Sequence, residues 1–191
     1  RIFRDTVRKY GDRVALRKKE FGLWHDLTWN DYYRMAKWVG SALFSLGLQK
    51  GDTVSIIGDN CPEWVIVDMA VQCAGGVVVG IYATNAWQQV EYVIRDSESK
   101  FFFVENEEQL DKWLQFRENA PLLKKVVVWD LEGLRHFKDP AVMTFDEILE
   151  LGKRSAEEVP EMFEHSIDSV QAEDVATLIY TSGTTGPPKG A

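Results

Sequence analysis

A chain of 191 residues, 45% hydrophobic with seven Trp and ten Phe, can bury roughly 70% of its unfolded surface, enough for one core or two small ones. Its formal net charge of −8 speaks against a nucleic-acid binder, whose phosphate contacts need a concentrated basic face. The charge is local, because the stretch Asp146–Asp174 holds ten acidic and two basic residues; it reads as a solvated helix and connector.

In chain order, the sequence opens on Arg1 without a signal-peptide pattern, and its N-terminus reads as trimmed. "VALRKKEFGLWHDLTW" (14–29) predicts two strands around a turn at Gly22, placed at a sheet edge. An amphipathic helix follows Thr28, with Tyr32, Ala36, Val39, Leu43 and Leu46 on one face, Asp31 placed for a capping box and Gly47 as the stop. Four apolar strands come next, at 53–57, 77–82, 101–105 and 125–129, each starting 24 residues after the one before. That spacing leaves room for one helix between strands. The candidates are 62–74 with Pro62 at its first position, 86–96 around Trp87, Val90 and Ile94, and 107–118 behind an Asn106 and Gln109 cap. Thr144 and Glu147 cap one more helix, and "VATLIYT" (175–181) supplies a last strand.

Continuous apolar strands alternating with helices imply an α/β fold with a mainly parallel sheet covered on both faces. The run "WVIVDMAVQCAGGVVVGIYA" (64–83) could be mistaken for a membrane span. Its central Asp68 would cost about 2.5–3.5 kcal/mol on insertion, and Gly75–Gly76 splits it into a helix and a strand, so no span is expected. No internal repeat or low-complexity tract is present. The domain reading is an α/β subdomain over 1–154, an acidic connector over 155–174, and a terminal strand and loop over 175–191. Cys61 and Cys73 lack partners at metal or redox spacing, as do the scattered His25, His136 and His165. Free thiols of this kind suit a cytoplasmic protein.

The chemistry lies in "YTSGTTGPPKG" (180–190). Gly183 and Gly186 can adopt positive φ and let backbone N–H groups converge on an anion. Thr181, Ser182, Thr184 and Thr185 add four hydroxyls, and Lys189 adds a cation. A Walker A loop needs Gly before the Lys and Ser or Thr after it, whereas Pro188 and Gly190 stand there. The prolines also leave no helix start to lend its dipole. A phosphate would be held by hydroxyls and mobile glycine backbone; the alternative is a merely flexible Thr/Gly turn.

This stretch resembles the phosphate-loop signature of the adenylate-forming superfamily, which includes acyl-CoA synthetases, luciferases and peptide-synthetase adenylation domains. Residues 27–64 and 74–100 are similar to the N-terminal subdomain of these enzymes. "IYAT" (81–84), a following Gln and "YVIRDS" (92–97) resemble long-chain fatty acyl-CoA synthetases, although "ATNAWQQ" (83–89) departs from their usual small, polar residues. The resemblance implies a carboxylate substrate, most simply a fatty acid, with ATP, Mg²⁺ and coenzyme A. Thr181, Ser182, Gly183, Thr184, Thr185, Gly186 and Lys189 would then grip the β- and γ-phosphates, with Thr181 the candidate Mg²⁺ partner. In that family the adenine and acyl sites, the acidic metal ligand and the lid with its catalytic lysine follow this loop. The chain is therefore expected to be an N-terminal piece with no assigned catalytic residue, which folds but does not react and whose loop is mobile. A homodimer is compatible with it. The readings left open are an aryl- or amino-acid-activating relative and a non-catalytic α/β binding module.

Overall fold

The computed structural model of the protein describes residues 1–181 and 188–191. Helix α1 (Ile2–Tyr10) leads into a hairpin of β1 (Val14–Glu20) and β2 (Leu23–Thr28), followed by α2 (Trp29–Ser45). The alternating part runs β3 (Thr53–Ile57), α3 (Pro62–Cys73), β4 (Val77–Ile81), α4 (Trp87–Asp96), β5 (Phe101–Val104), α5 (Glu107–Phe116) and β6 (Lys125–Val128). Then come β7 (Val142–Thr144), α6 (Phe145–Glu158), α7 (Met162–Ser169), β8 (Thr177–Thr181) and β9 (Lys189–Gly190). The expected strand starts at 53, 77, 101 and 125 are all found.

One seven-stranded sheet has the order β7-β6-β5-β3-β4-β8-β9, and every neighbouring pair is parallel except β8 with β9. The chain steps from β3 to β4 on one side, then returns across β3 to β5 on the other. Crossovers of constant hand that move in opposite directions must use opposite faces, and the packing follows this. Val54, Ile56, Phe101, Phe103 and Val127 pack with α1, α2, α3, α6 and α7 on one face. Ile57, Val79, Phe102, Val104, Val126 and Val128 pack with α4 and α5 on the other. All of β5 is buried, with Phe101, Phe102 and Phe103 fully so; each such phenyl ring contributes about 1.5–3 kcal/mol.

A few polar contacts fix the ends of elements. Asp31 N donates to Thr28 Oγ1 at 3.1 Å and Thr28 N donates to Asp31 Oδ2 at 3.0 Å. Thr144 and Glu147 form the same reciprocal box at the start of α6, and Gln109 N donates to Asn106 Oδ1 at 3.2 Å. Each cap is worth about 1 kcal/mol. Inside the sheet, the buried Ser55 and Ser99 hydroxyls lie 2.6 Å apart, Ser99 and Ser97 2.8 Å apart, and Thr53 Oγ1 donates to Ser97 O at 2.6 Å.

Two expectations need correction, and one element is new. The β1–β2 hairpin forms its own two-stranded sheet rather than an edge of the large one, because its neighbours are helices, with Ala15 and Leu16 against the α-helical core. The stretch 155–174 is not a bare connector, since it contains the end of α6 and all of α7. Phe163 and Ile167 of α7 are buried at a spacing that puts both on one face. Gly40 makes room for the phenyl ring, because a Cβ there would lie 2.5 Å from Phe163. The acidic residues of α7 face outward but are not simply solvated: Arg4 Nη2 lies 2.6 Å from Asp168 Oδ1, and Tyr33 Oη donates to Glu164 Oε1 at 2.7 Å. Finally, Val142–Thr144 extends the sheet as an edge strand that was not anticipated. The apolar run 64–83 divides at Gly75, φ +75, and among the described residues no helix is long and apolar enough to cross a membrane.

A tight helix crossing puts Gly152 of α6 on the backbone of α2, where an added Cβ would lie 1.7 Å from Trp38 O. Backbone cannot yield as a side chain does. Gly152→Ala should therefore destabilise the fold by about 1–3 kcal/mol, read as a lower urea midpoint at unchanged m-value. An unchanged midpoint would show that the two helices separate freely.

Candidate functional site

Parallel strands point all their carboxyl ends to one edge, where the connecting loops gather. In open α/β sheets, ligands bind outside that edge at the point where the strand order reverses. Here the reversal lies at β3, whose chain leaves toward α3 while its neighbour β4 leaves toward α4. A crevice of about 520 Å³ opens at this place, lined by Gly58–Asn60 after β3, Trp64 of α3, Gly80–Thr84 around the end of β4, and Thr177–Tyr180 of β8. Gly80 leaves the wall open beside Trp64, whose ring lies 3.8 Å from where a Cβ would stand.

The crevice loops are held from behind. Asp59 N donates to Glu105 Oε2 at 2.8 Å. Ala83 O accepts from Lys112 Nζ at 2.7 Å, and Gln109 Oε1 accepts from the same ammonium at 2.9 Å. Ala86 N donates to Gln89 Oε1 at 3.0 Å, which caps α4 from within. The loops after β3 and β4 therefore reach the edge tied to α5 and to the end of β5.

Strand β8 borders the crevice and carries the start of the glycine loop. Thr177 Oγ1 donates to Val78 O at 2.9 Å, locking β8 to β4. Beyond the loop, β9 returns antiparallel, with Tyr180 opposite Gly190 and Thr181 opposite Lys189. Ile179 and Ala191 exchange backbone hydrogen bonds of 3.0 and 3.1 Å. The two ends of the expected phosphate loop are thus brought together, with Thr181 and Lys189 side by side and both exposed. Ser182, Gly183, Thr184, Thr185 and Gly186 lie outside the described residues, and with them the expectation about loop mobility.

Several crevice residues were not singled out from the sequence. Trp64, Tyr82 and Ala83 looked like core or loop positions, and only the strand order reveals that they share a wall with β8. Asp96 accepts a 2.7 Å hydrogen bond from Tyr180 Oη; its only sequence signal was its place in "YVIRDS". Among the described residues, no three His, Cys, Asp or Glu side chains are grouped to hold a metal ion.

The family model described as AMP-binding enzyme matches residues 3–191. The chain is 39% identical over 190 residues to the long-chain-fatty-acid–CoA ligase ACSBG2 of Xenopus laevis, covering 99% of this chain and 25% of that protein. It is 34% identical over 196 residues to the long-chain-fatty-acid–CoA ligase ACSBG1 of Homo sapiens, covering 26% of it. This chain therefore spans about a quarter of the length of these curated relatives. Among solved structures, it matches an anthranilate CoA ligase in complex with anthranoyl-AMP at TM-score 0.81 and 25% identity, over 99% of this chain and 33% of that one. A luciferase-like enzyme from the mealworm Zophobas morio shares the fold at TM-score 0.77 and 22% identity, over 98% of this chain and 40% of that one.

Neither cysteine is poised as a nucleophile. Burial pushes the Cys61 and Cys73 thiols each up to about 12, so the reactive thiolate is scarce at neutral pH. Alkylation of the folded chain by iodoacetamide near neutral pH should run at least about a hundredfold slower than that of a free thiol, and urea should restore the ordinary rate. Rapid labelling without denaturant would contradict the burial of Cys73 and the partial burial of Cys61.

Proposed function

The chain belongs to the AMP-binding enzyme family, and on that premise we propose that it forms the phosphate-gripping N-terminal part of an ATP-dependent fatty acid:CoA ligase. The carrying observation is the β8–β9 pair, which sets Thr181 against Lys189 at the carboxyl edge of the sheet beside the crevice. A hydroxyl and an ammonium at the two mouths of one glycine loop suit a chain of phosphates. Each such contact to a charged oxygen contributes about 1.5–3 kcal/mol.

The proposed reaction joins two anions. A carboxylate oxygen bonds to the α-phosphorus of ATP, the bond to the bridging oxygen breaks, and pyrophosphate leaves with the electron pair. The sulfur of coenzyme A then bonds to the acyl carbon as its proton passes to solvent, and the bond from that carbon to the phosphate oxygen breaks, so that AMP leaves with the electron pair. The first barrier is largely electrostatic, since charge must be carried onto the leaving pyrophosphate. Thr181, Ser182, Gly183, Thr184, Thr185, Gly186 and Lys189 would meet that charge. Mg²⁺ binds through hard oxygens and substrate phosphates and keeps much of its water; the Thr181 hydroxyl fits as one such oxygen.

Higher identity to proteins named as long-chain-fatty-acid–CoA ligases than to the anthranilate CoA ligase supports a fatty acid over an aryl acid. Holding ATP by a few hydroxyls offers little against the cost of immobilising it, so the 191 residues alone should bind ATP no tighter than about millimolar and form no acyl-AMP. ATP–pyrophosphate exchange with carboxylates from acetate to palmitate tests both statements. A protein extended to the length of the relatives should respond to fatty acids. A response only to amino or aryl acids would overturn the substrate, and exchange by the short chain would overturn its inactivity. In the extended enzyme, Thr184→Val should lower kcat/KM by about 10–100-fold at unchanged melting temperature, because it deletes one phosphate donor at nearly constant volume. Unaltered kinetics would remove Thr184 from the phosphate grip.

A further inference from the structure

We propose that Tyr180, Asp96 and Gly190 form a clamp that sets the spacing of the two mouths of the glycine loop, making Tyr180 and Asp96 positioning residues for nucleotide phosphate. This rests on the reading of the loop as a nucleotide-phosphate site. It joins two sequence motifs, "YVIRDS" and "YTSGTTGPPKG", that are 84 residues apart at their hydrogen-bonded members.

The geometry is that of a ring held on three sides. Tyr180 is only 9% exposed. Its Oη donates to Asp96 Oδ2 at 2.7 Å, and Tyr92 meets its ring edge-on, with centroids 6.5 Å apart and planes at 88°. Gly190 also lies against the ring, where an added Cβ would sit 3.1 Å from Tyr180 Cζ and 3.2 Å from Cε2. The ring thus reaches from α4, through β8, to β9. Burial, and then the hydrogen bond to the Asp96 carboxylate, hold the Tyr180 phenol above its usual range, so the hydroxyl remains a donor at neutral pH.

Thr181 follows Tyr180 directly and Lys189 precedes Gly190, so any shift of the ring moves both phosphate-facing residues together. A two-residue strand such as β9 has few ladder bonds of its own, and the distance between its side chain and that of Thr181 depends on what lies beneath.

The test has two arms. In the enzyme extended to the length of its relatives, Tyr180→Phe and Asp96→Ala should each raise KM for ATP by about threefold to tenfold, with KM for the carboxylate unchanged. The double variant should be no worse than either single one. Asp96→Asn, which still presents an acceptor to the phenol, should restore the unmutated KM. Gly190→Ala, which displaces the ring, should act like Tyr180→Phe. Equal changes in both KM values, additive single effects or no change in KM for ATP would overturn the clamp. The second arm needs no activity: in the 191-residue chain, the amides of Ile179 and Ala191 should exchange hydrogen about threefold faster or more in Tyr180→Phe. Unchanged exchange would overturn the clamp as well. An unmutated extended enzyme that activates no carboxylate would instead sink the functional reading, and the exchange arm would still decide whether the clamp exists.

Discussion

Everything in this fold hangs on β3 being paired in parallel on both sides, with β4 along one edge and β5 along the other. A parallel pair cannot be closed by a tight turn, so each strand must be followed by a crossover long enough to hold a helix. With β3 in the middle, those crossovers divide between the two faces. Both faces are then buried, and the strands become nearly continuous apolar runs. The helices packed on both faces and the two hydrophobic cores follow from that arrangement.

The same constraint creates the crevice. Loops that leave neighbouring strands toward opposite faces cannot pack on one another, and the gap between them lies at the carboxyl edge. β8 then joins β4 on the open side, which delivers Thr181 to the edge of the gap. The hydrogen bonds of Ala83 with Lys112 and of Asp59 with Glu105 tie the bordering loops back to α5 and the end of β5. On the proposed reading, a site for a charged ligand arises from strand order, and the glycine loop would supply the donors.

Legibility from the sequence followed burial and punctuation. β3 to β6 were readable because four short apolar runs stand at one spacing and are separated by Gly, Pro and capping residues, which act locally. The hairpin's strands were readable but not its placement, since a two-residue alternation does not say what lies behind it. α7 is hidden because acidic residues dominate the wider stretch 146–174, while only Phe163 and Ile167 carry its buried stripe. Thr181 and Lys189 stand out through their motif chemistry and the family resemblance, and the structure adds that they are neighbours. Asp96 was beyond reach, because its partner is distant in sequence and no local rule links an acid at a helix end to a tyrosine in another strand.

The buried hydroxyl chain of Ser55, Ser99 and Ser97 has a role in assembly. The segments that become β3, β4, β5 and β6 are short, apolar and close to interchangeable, so a collapsing chain could pair them in several orders with almost equal gain in buried area. Ser55 breaks that degeneracy. Its hydroxyl finds Ser99 only when β3 lies beside the turn that leads into β5. Any permuted order would leave a donor stranded in the apolar layer, at a cost of about 1–3 kcal/mol. One small polar group at the centre of an oily sheet gives its strand an address, and it distinguishes the native order from its near copies better than any of the surrounding phenylalanines and valines can.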